Sequence, residues 1–192
     1  MKTGTVPRSL STALELLHDR APSDLKELTF ALGAEMMRLA GLVKTDAQAR
    51  ARMPAAIESG AARGCMRAVV AAQGGDARVV DEPDRLPRAR ARVNVTATKA
   101  GFVHGIDALE VGLTGVAMGA GRTRADQHVD PTVGIVLHKT RGERVAKGDL
   151  LAELHVNDET GTEAFASRIA AAYELEAKPP PVQRLVLDVI RK

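Results

Sequence analysis

The first third of the chain places apolar residues at helical spacing. In "STALELLHDR", residues 11 to 20, Ser11 and Thr12 are suited to accept hydrogen bonds from unpaired helix-start N–H groups, and Ala13, Leu14 and Leu17 fall on one side. Pro22 is expected to end this helix. "SDLKELTFALGAEMMRLAG" predicts a second helix with Ser23 as N-cap, an apolar repeat at Leu25, Leu28, Leu32, Met36 and Leu39, and Gly41 closing it in the left-handed conformation. "TDAQ", Thr45 to Gln48, has capping-box spacing and opens a third helix that Pro54 is expected to kink or interrupt. A fourth spans about Ala61 to Ala72 and stops at "QGGD".

The period then changes. "DARVVDEPDRLPRARAR" is rich in proline and charge and reads as a linker. Beyond it, Val93, Val95 and Ala97 alternate with Arg92, Asn94 and Thr96, the period-two pattern of a half-buried strand, and "KAG" turns the chain into a second strand, "FVHGI". Asp107 to Ala117 predicts a small helix, followed by the polar loop "GAGRTRADQHVDPTVG". "GIVLH", "ERV" and "LLAELHV" predict further strands. A helix from about Glu159 to Ala177 is expected to bury Phe165, Ile169, Ala172 and Tyr173, with "PPP" breaking it before a last strand, "VQRLVLDVI". The fold class is α+β: a helical segment over residues 1–75, a linker over 76–90 and an α+β domain over 91–192.

Composition narrows the possible partners. Of 192 residues, 45% are hydrophobic and 27% charged, as in soluble globular proteins, and 27 Lys plus Arg against 24 Asp plus Glu leave a net charge of +3, too little to argue for nucleic acid. With no Trp, one Tyr and three Phe, stacking platforms for single strands are scarce. No apolar run approaches the roughly 20 residues of a membrane span, and "MKTGTVPRSL" lacks a hydrophobic signal core, so no membrane and a cytoplasmic location are expected. The sequon Asn94-Val95-Thr96 is then an ordinary strand segment. Cys65, the single cysteine, permits no internal disulfide and, beside Met66, Val69 and Val70, is expected to be a buried thiol without chemistry.

Candidate chemistry is sparse. "TATKAGFVHGI" and "GERVAKGDLLAEL" resemble the two halves of the biotinyl and lipoyl carrier sandwich, which implies a barrel-sandwich or hammerhead-like fold. A carrier needs a lysine at the tip between those halves, and "ALEVGLTGVAMGAGRTRADQHVD" contains none. Lys147 lies in the turn after the tip and reads as a turn residue. "GAGRTR", with Arg122 and Arg124, has two readings: a phosphate cradle of backbone N–H groups, or a glycine-capped helix end, which needs no strand before it. His18, His104, His128, His138 and His155 show no pair at zinc-site spacing, and His104 and His155 read as surface or satisfied sheet residues. His128 lies near Asp126 and Asp130, where an acid–base role is conceivable. Ser11, Ser23 and Thr45 are explained as caps, and no nucleophile elbow is present. The residues alone therefore assign no catalytic, substrate-binding or metal site and no cofactor.

The order of segments adds more. "ALELL", "DLKELTFALGAEM", "AAQGGDARVVDEPDRLP", "GFVHGIDALEVGLTGVAMGAGR", "VDPTVGIVLHKTRGERVAKGDLLAEL" and "HVND", from about Ser11 to Asp158, resemble the C-terminal portion of the pyrimidine nucleoside phosphorylases, thymidine phosphorylase included. The resemblance implies a cytoplasmic, homodimeric enzyme of nucleoside salvage that cleaves thymidine or uridine with inorganic phosphate, its co-substrate, giving free base and a sugar 1-phosphate. The family's phosphate-holding lysine, serine and glycine-rich stretch, and its arginine, serine and lysine contacts to the pyrimidine, belong to its N-terminal part, and nothing in this sequence matches them. The acid through which some relatives hold a monovalent cation aligns with His18, so that site is not carried over. On this reading the chain looks like a fragment, inactive alone. The other readings are a freestanding carrier-like binding module and a ligand-free assembly domain.

Overall fold

The computed structural model describes residues 6–122, 126 and 128–190 and divides them into two compact units, one built on residues 10–86 and one on 87–182.

The helical unit contains α1 (Val6–Leu17), α2 (Ser23–Leu39), α3 (Asp46–Glu58) and α4 (Ala61–Ala72). Thr45 caps α3 as its spacing predicts: its hydroxyl accepts from the Gln48 N–H at 3.2 Å, and the Gln48 side chain accepts from the Thr45 N–H at 3.3 Å. Helices α1, α2 and α4 all finish in one motif, a left-handed residue followed by a backbone bond reaching five residues back. The left-handed residues are Asp19, Gly41 and Gly74, and the closing bonds run from Arg20 to Glu15, from Leu42 to Met37 and from Gly75 to Val70. Helix α1 thus ends at Leu17, and Asp19 turns the chain, before Pro22 is reached. Ser23 is the first residue of α2, whose N-cap is Pro22 without a side-chain bond. Pro54 leaves α3 continuous to Glu58. One core packs Leu14 of α1, with Leu10 and Leu17, against Met66 and Val70 of α4. The 3-10 turn Ala77–Val80 adds buried Val79 and Val80 to it, and a second, Pro83–Arg85, leads to half-buried Leu86. Cys65 is exposed, in contrast to the buried thiol expected. Met66 and Val70 supply the packed side of α4, and Cys65, one position earlier, lies about 100° round the helix from Met66.

The second unit has two three-stranded antiparallel sheets. One has the order β1 (Ala91–Thr96), β5 (Leu150–Val156), β3 (Gly134–Leu137); the other β4 (Arg144–Val145), β2 (Gly101–Ile106), β6 (Tyr173–Glu176). With α5 (Ala108–Gly115) and α6 (Thr162–Ala171), this makes the class α+β, and among the described residues neither sheet closes into a barrel. One core joins the sheets and α6: Val95, Val103, Ile135, Val145, Leu154, Ile169 and Leu175 are all buried in it.

Two expectations need correction here. The last helix ends at Ala171, and Tyr173 to Glu176 form β6, paired antiparallel with β2 at Ile106↔Tyr173 and Val103↔Leu175. "YELE" buries Tyr173 and Leu175 and exposes the two glutamates, so pairing imposes a two-residue period on a segment of helix-favouring composition. "VQRLVLDVI" is not a strand; Val182, Leu187 and Ile190 are exposed and the segment has no regular structure.

Candidate functional site

One clasp ties the approach to β3 to the sheets. After α5 the chain makes a wide turn, Val116–Ala120, in which Gly119 has φ +98°. The Gly119 carbonyl accepts from the Asp130 N–H at 3.1 Å, which joins this turn to the approach to β3. Gly121 cannot carry a larger side chain unaided, because a Cβ there would lie 2.6 Å from Cγ2 of Val116.

Asp130 is the hub. Its Oδ1 accepts from the Thr132 N–H at 2.9 Å and from the Thr132 hydroxyl at 2.7 Å, and its Oδ2 accepts from Nδ2 of Asn157 at 2.6 Å. Oδ1 of Asn157 accepts in turn from the Arg90 N–H at 2.8 Å. The entry to β1, the exit of β5, the approach to β3 and the turn after α5 are thereby tied together. The Thr132 hydroxyl above all, then the Thr132 and Asn157 N–H donors and the nearby charge of His128, hold the Asp130 carboxyl below the usual carboxylate range against a partial desolvation penalty. An ionised carboxylate accepting three hydrogen bonds is a fastener rather than a base: protonating it would sacrifice bonds already made.

His128 is exposed. Of "GAGRTR", Arg122 is exposed, while Arg124 lies outside the described residues. Gly119 and Gly121 sit in the turn after a helix and no strand leads into them, which is the arrangement of a glycine-capped helix end.

The turn at Lys147 is complete without chemistry. The Gly148 N–H, at φ +92°, donates to the Ala97 carbonyl at 2.8 Å, the Ala97 N–H donates to the Asp149 carbonyl at 2.8 Å, and the Asp149 carboxylate accepts from the Ala146 N–H at 2.9 Å. Lys147 itself points outward, exposed, on this turn.

Strand register assembles a second cluster that sequence inspection missed. Glu153 and His155 are two apart on β5, hence on one face, and Asn94 and Arg92 of β1 lie opposite them. Glu153 is hydrogen-bonded to Nε2 of buried His155 and lies 3.4 Å from Arg92 and 3.9 Å from His138. This half-buried carboxylate, set between one arginine and two imidazoles, is part of a structural polar network on the sheet. His104 of β2 lies 3.6 Å from Glu176 of β6 in the other sheet, and Nε2 of His18 is 2.8 Å from the Val80 carbonyl, fixing the end of α1 to the 3-10 turn. Among the described residues no group of three or more His, Cys, Asp or Glu side chains has the arrangement of a metal site, and no helix is long and apolar enough to cross a membrane.

Residues 102–176, from the start of β2 to the end of β6, match the family model described as pyrimidine nucleoside phosphorylase C-terminal domain. The clasp at Asp130 and Thr132 and the turn at Lys147 therefore lie within the matched region. The chain is also 38% identical over 148 residues, 77% of its length, to the pyrimidine-nucleoside phosphorylase of Staphylococcus aureus strain bovine RF122 / ET3-1, and equally to those of strains USA300 and NCTC 8325 / PS 47. It spans 34% of the length of each of these relatives. The domain formed by the two sheets with α5 and α6 therefore belongs to the pyrimidine nucleoside phosphorylase family, as its C-terminal part.

Proposed function

We propose that the chain supplies the C-terminal part of a pyrimidine nucleoside phosphorylase and acts in phosphorolysis together with the polypeptide that corresponds to the rest of its relatives. The observation that carries this reading is the 38% identity over 148 residues to proteins named for that activity, joined to the family match over residues 102–176. In the reaction a phosphate oxygen bonds to the anomeric carbon of the nucleoside as the glycosidic C–N bond breaks. The bonding pair leaves on the pyrimidine, which is protonated, and the products are free base and sugar 1-phosphate. Catalysis of this kind rests on holding phosphate and sugar in line and on stabilising charge that develops on the leaving base.

The residues of this chain assign no group that touches either substrate. Its contribution is architectural: two three-stranded sheets sharing one core, with a loop fixed at Asp130, support reading residues 91–176 as a barrel-sandwich domain that closes over the phosphate side of a cleft. Alone, the chain is expected to lack turnover. The complete enzyme is read as a cytoplasmic homodimer of nucleoside salvage, with pyrimidine nucleoside and inorganic phosphate as its substrates, no further cofactor, and neither nucleic acid nor membrane as a partner.

The test is release of base from thymidine and from uridine, followed chromatographically with and without inorganic phosphate, by the chain co-expressed with the N-terminal two thirds of a Staphylococcus aureus relative. Phosphate-dependent release, with a sugar 1-phosphate formed in equal amount, is expected. Release that is indifferent to phosphate would identify hydrolysis and refute phosphorolysis.

A further inference from the structure

Helix α2 is apolar on two sides. Phe30, Ala34 and Met37, at i, i+4 and i+7, include the face turned to α3, where Ala34 and Met37 pack with Ala49 and Met53. Leu32, Met36 and Leu39 repeat the same spacing two residues on, about 200° round the helix, and are 60%, 69% and 88% exposed; Leu42, just past the Gly41 cap, is 62% exposed. A helix with apolar residues on two opposed faces is one that is covered on both. The charges of this region give the open face no polar role. Arg38 pairs with Asp46 at 2.9 Å, Arg50 with Glu27 at 3.0 Å and Lys26 with Asp19 at 2.5 Å, all within the helical unit. What the stripe fits is an uncharged, apolar surface.

We infer that the stripe Leu32–Met36–Leu39–Leu42 is a docking face, and that its occupant is the polypeptide corresponding to the remaining two thirds of the relatives' length. This rests on the functional reading above. Two observations choose the occupant. The chain spans 34% of the length of the relatives it matches, so those proteins carry roughly twice as much further chain. Four side chains on one helix and its cap also offer much less than the ~800 Å² per partner of a standard interface, so the occupant must be one that engages further surfaces as well. A second copy meeting stripe to stripe would bury only this small patch.

The experiment co-expresses the chain with the N-terminal two thirds of a Staphylococcus aureus relative, so that neither part has to fold alone, and measures complex formation by affinity pull-down and size-exclusion chromatography with light scattering. A double variant, Leu32→Asp with Met36→Asp, is run in parallel, and its circular dichroism and thermal melt check that the helical unit is intact. The expected result is a one-to-one complex with the unaltered chain and an affinity lower by roughly tenfold or more in the folded variant. Unimpaired binding by the variant would overturn the docking face. A homodimer of the unaltered chain abolished by the same substitutions would overturn the choice of occupant, as would no complex with either form. Turnover separates the two claims: a complex that does not release base counts against the functional reading alone, whereas full turnover with the variant counts against the docking face alone.

Discussion

Asp19 has φ +57°, the single positive-φ position not occupied by glycine among the described residues. Aspartate tolerates the left-handed region better than most residues because its short side chain bonds locally, whereas a β-branched residue there clashes with its own backbone. Asp19→Val should therefore lower stability by about 1–2 kcal/mol in urea unfolding. Asp19→Asn should stay within about 0.5 kcal/mol, since the pair it loses with Lys26 is exposed. An equal loss in both variants would show that the ion pair, not the backbone conformation, is what Asp19 supplies. Asp130 makes a different prediction. Its folded-state carboxyl titrates below the usual range, so its contribution is complete above the unfolded value near pH 4 and disappears as the pH falls through the lower folded value. Thermal melts should show Asp130→Ala less stable at neutral pH by about 1–2 kcal/mol. The deficit should shrink below about pH 4, where the unaltered chain loses the same bonds. A deficit that persists unchanged at acid pH would show that packing rather than charge is lost.

Elements were legible where the local signal and the tertiary environment agree. Thr45 and Gln48 make both bonds of the capping box, Gly41 and Gly74 end their helices, and β1 exposes Arg92 and Asn94 while burying Val95. Where the two disagree, tertiary pairing decides. Tyr173 to Glu176 follow a helix without a break in composition, and only the free edge of β2 makes them a strand; the Tyr173 hydroxyl then donates to the Leu151 carbonyl at 2.8 Å. The reverse holds for "VQRLVLDVI", whose strand-favouring residues find no edge to pair with. Leu175→Ala should consequently cost about 2–4 kcal/mol, while Leu187→Ala, at a position 77% exposed, should change stability by less than about 0.5 kcal/mol. Comparable losses at the two positions, measured by denaturant titration, would contradict this assignment of β6. The clasp was not legible at all. Arg90 and Asn157 are 67 residues apart, and no spacing rule links them; the antiparallel register of β1 on β5 brings them together. The same register gathers Arg92, Glu153 and His155 from residues that look scattered along the chain.

At the scale of the whole molecule, the segments that match known enzymes are those whose side chains build cores, clasps and turns. The two units each have a core of their own, around Leu14 and Val80 in one and Val103 and Leu154 in the other, and the chain spans 34% of its relatives' length. On the proposed reading the chain is a supporting part of a larger catalyst, and its family was readable because the residues that build cores and turns recur in order along the sequence. Exposed Leu32, Met36 and Leu39 point the same way. The most direct measurement is phosphate-dependent release of thymine from thymidine by the purified chain, assayed alone and then in stoichiometric complex with the N-terminal two thirds of a Staphylococcus aureus pyrimidine-nucleoside phosphorylase. The account predicts no turnover by the chain alone and turnover in the complex. Turnover by the chain alone would contradict it and would place catalytic groups among its own residues, with Arg122, Arg124 and His128 the first to substitute.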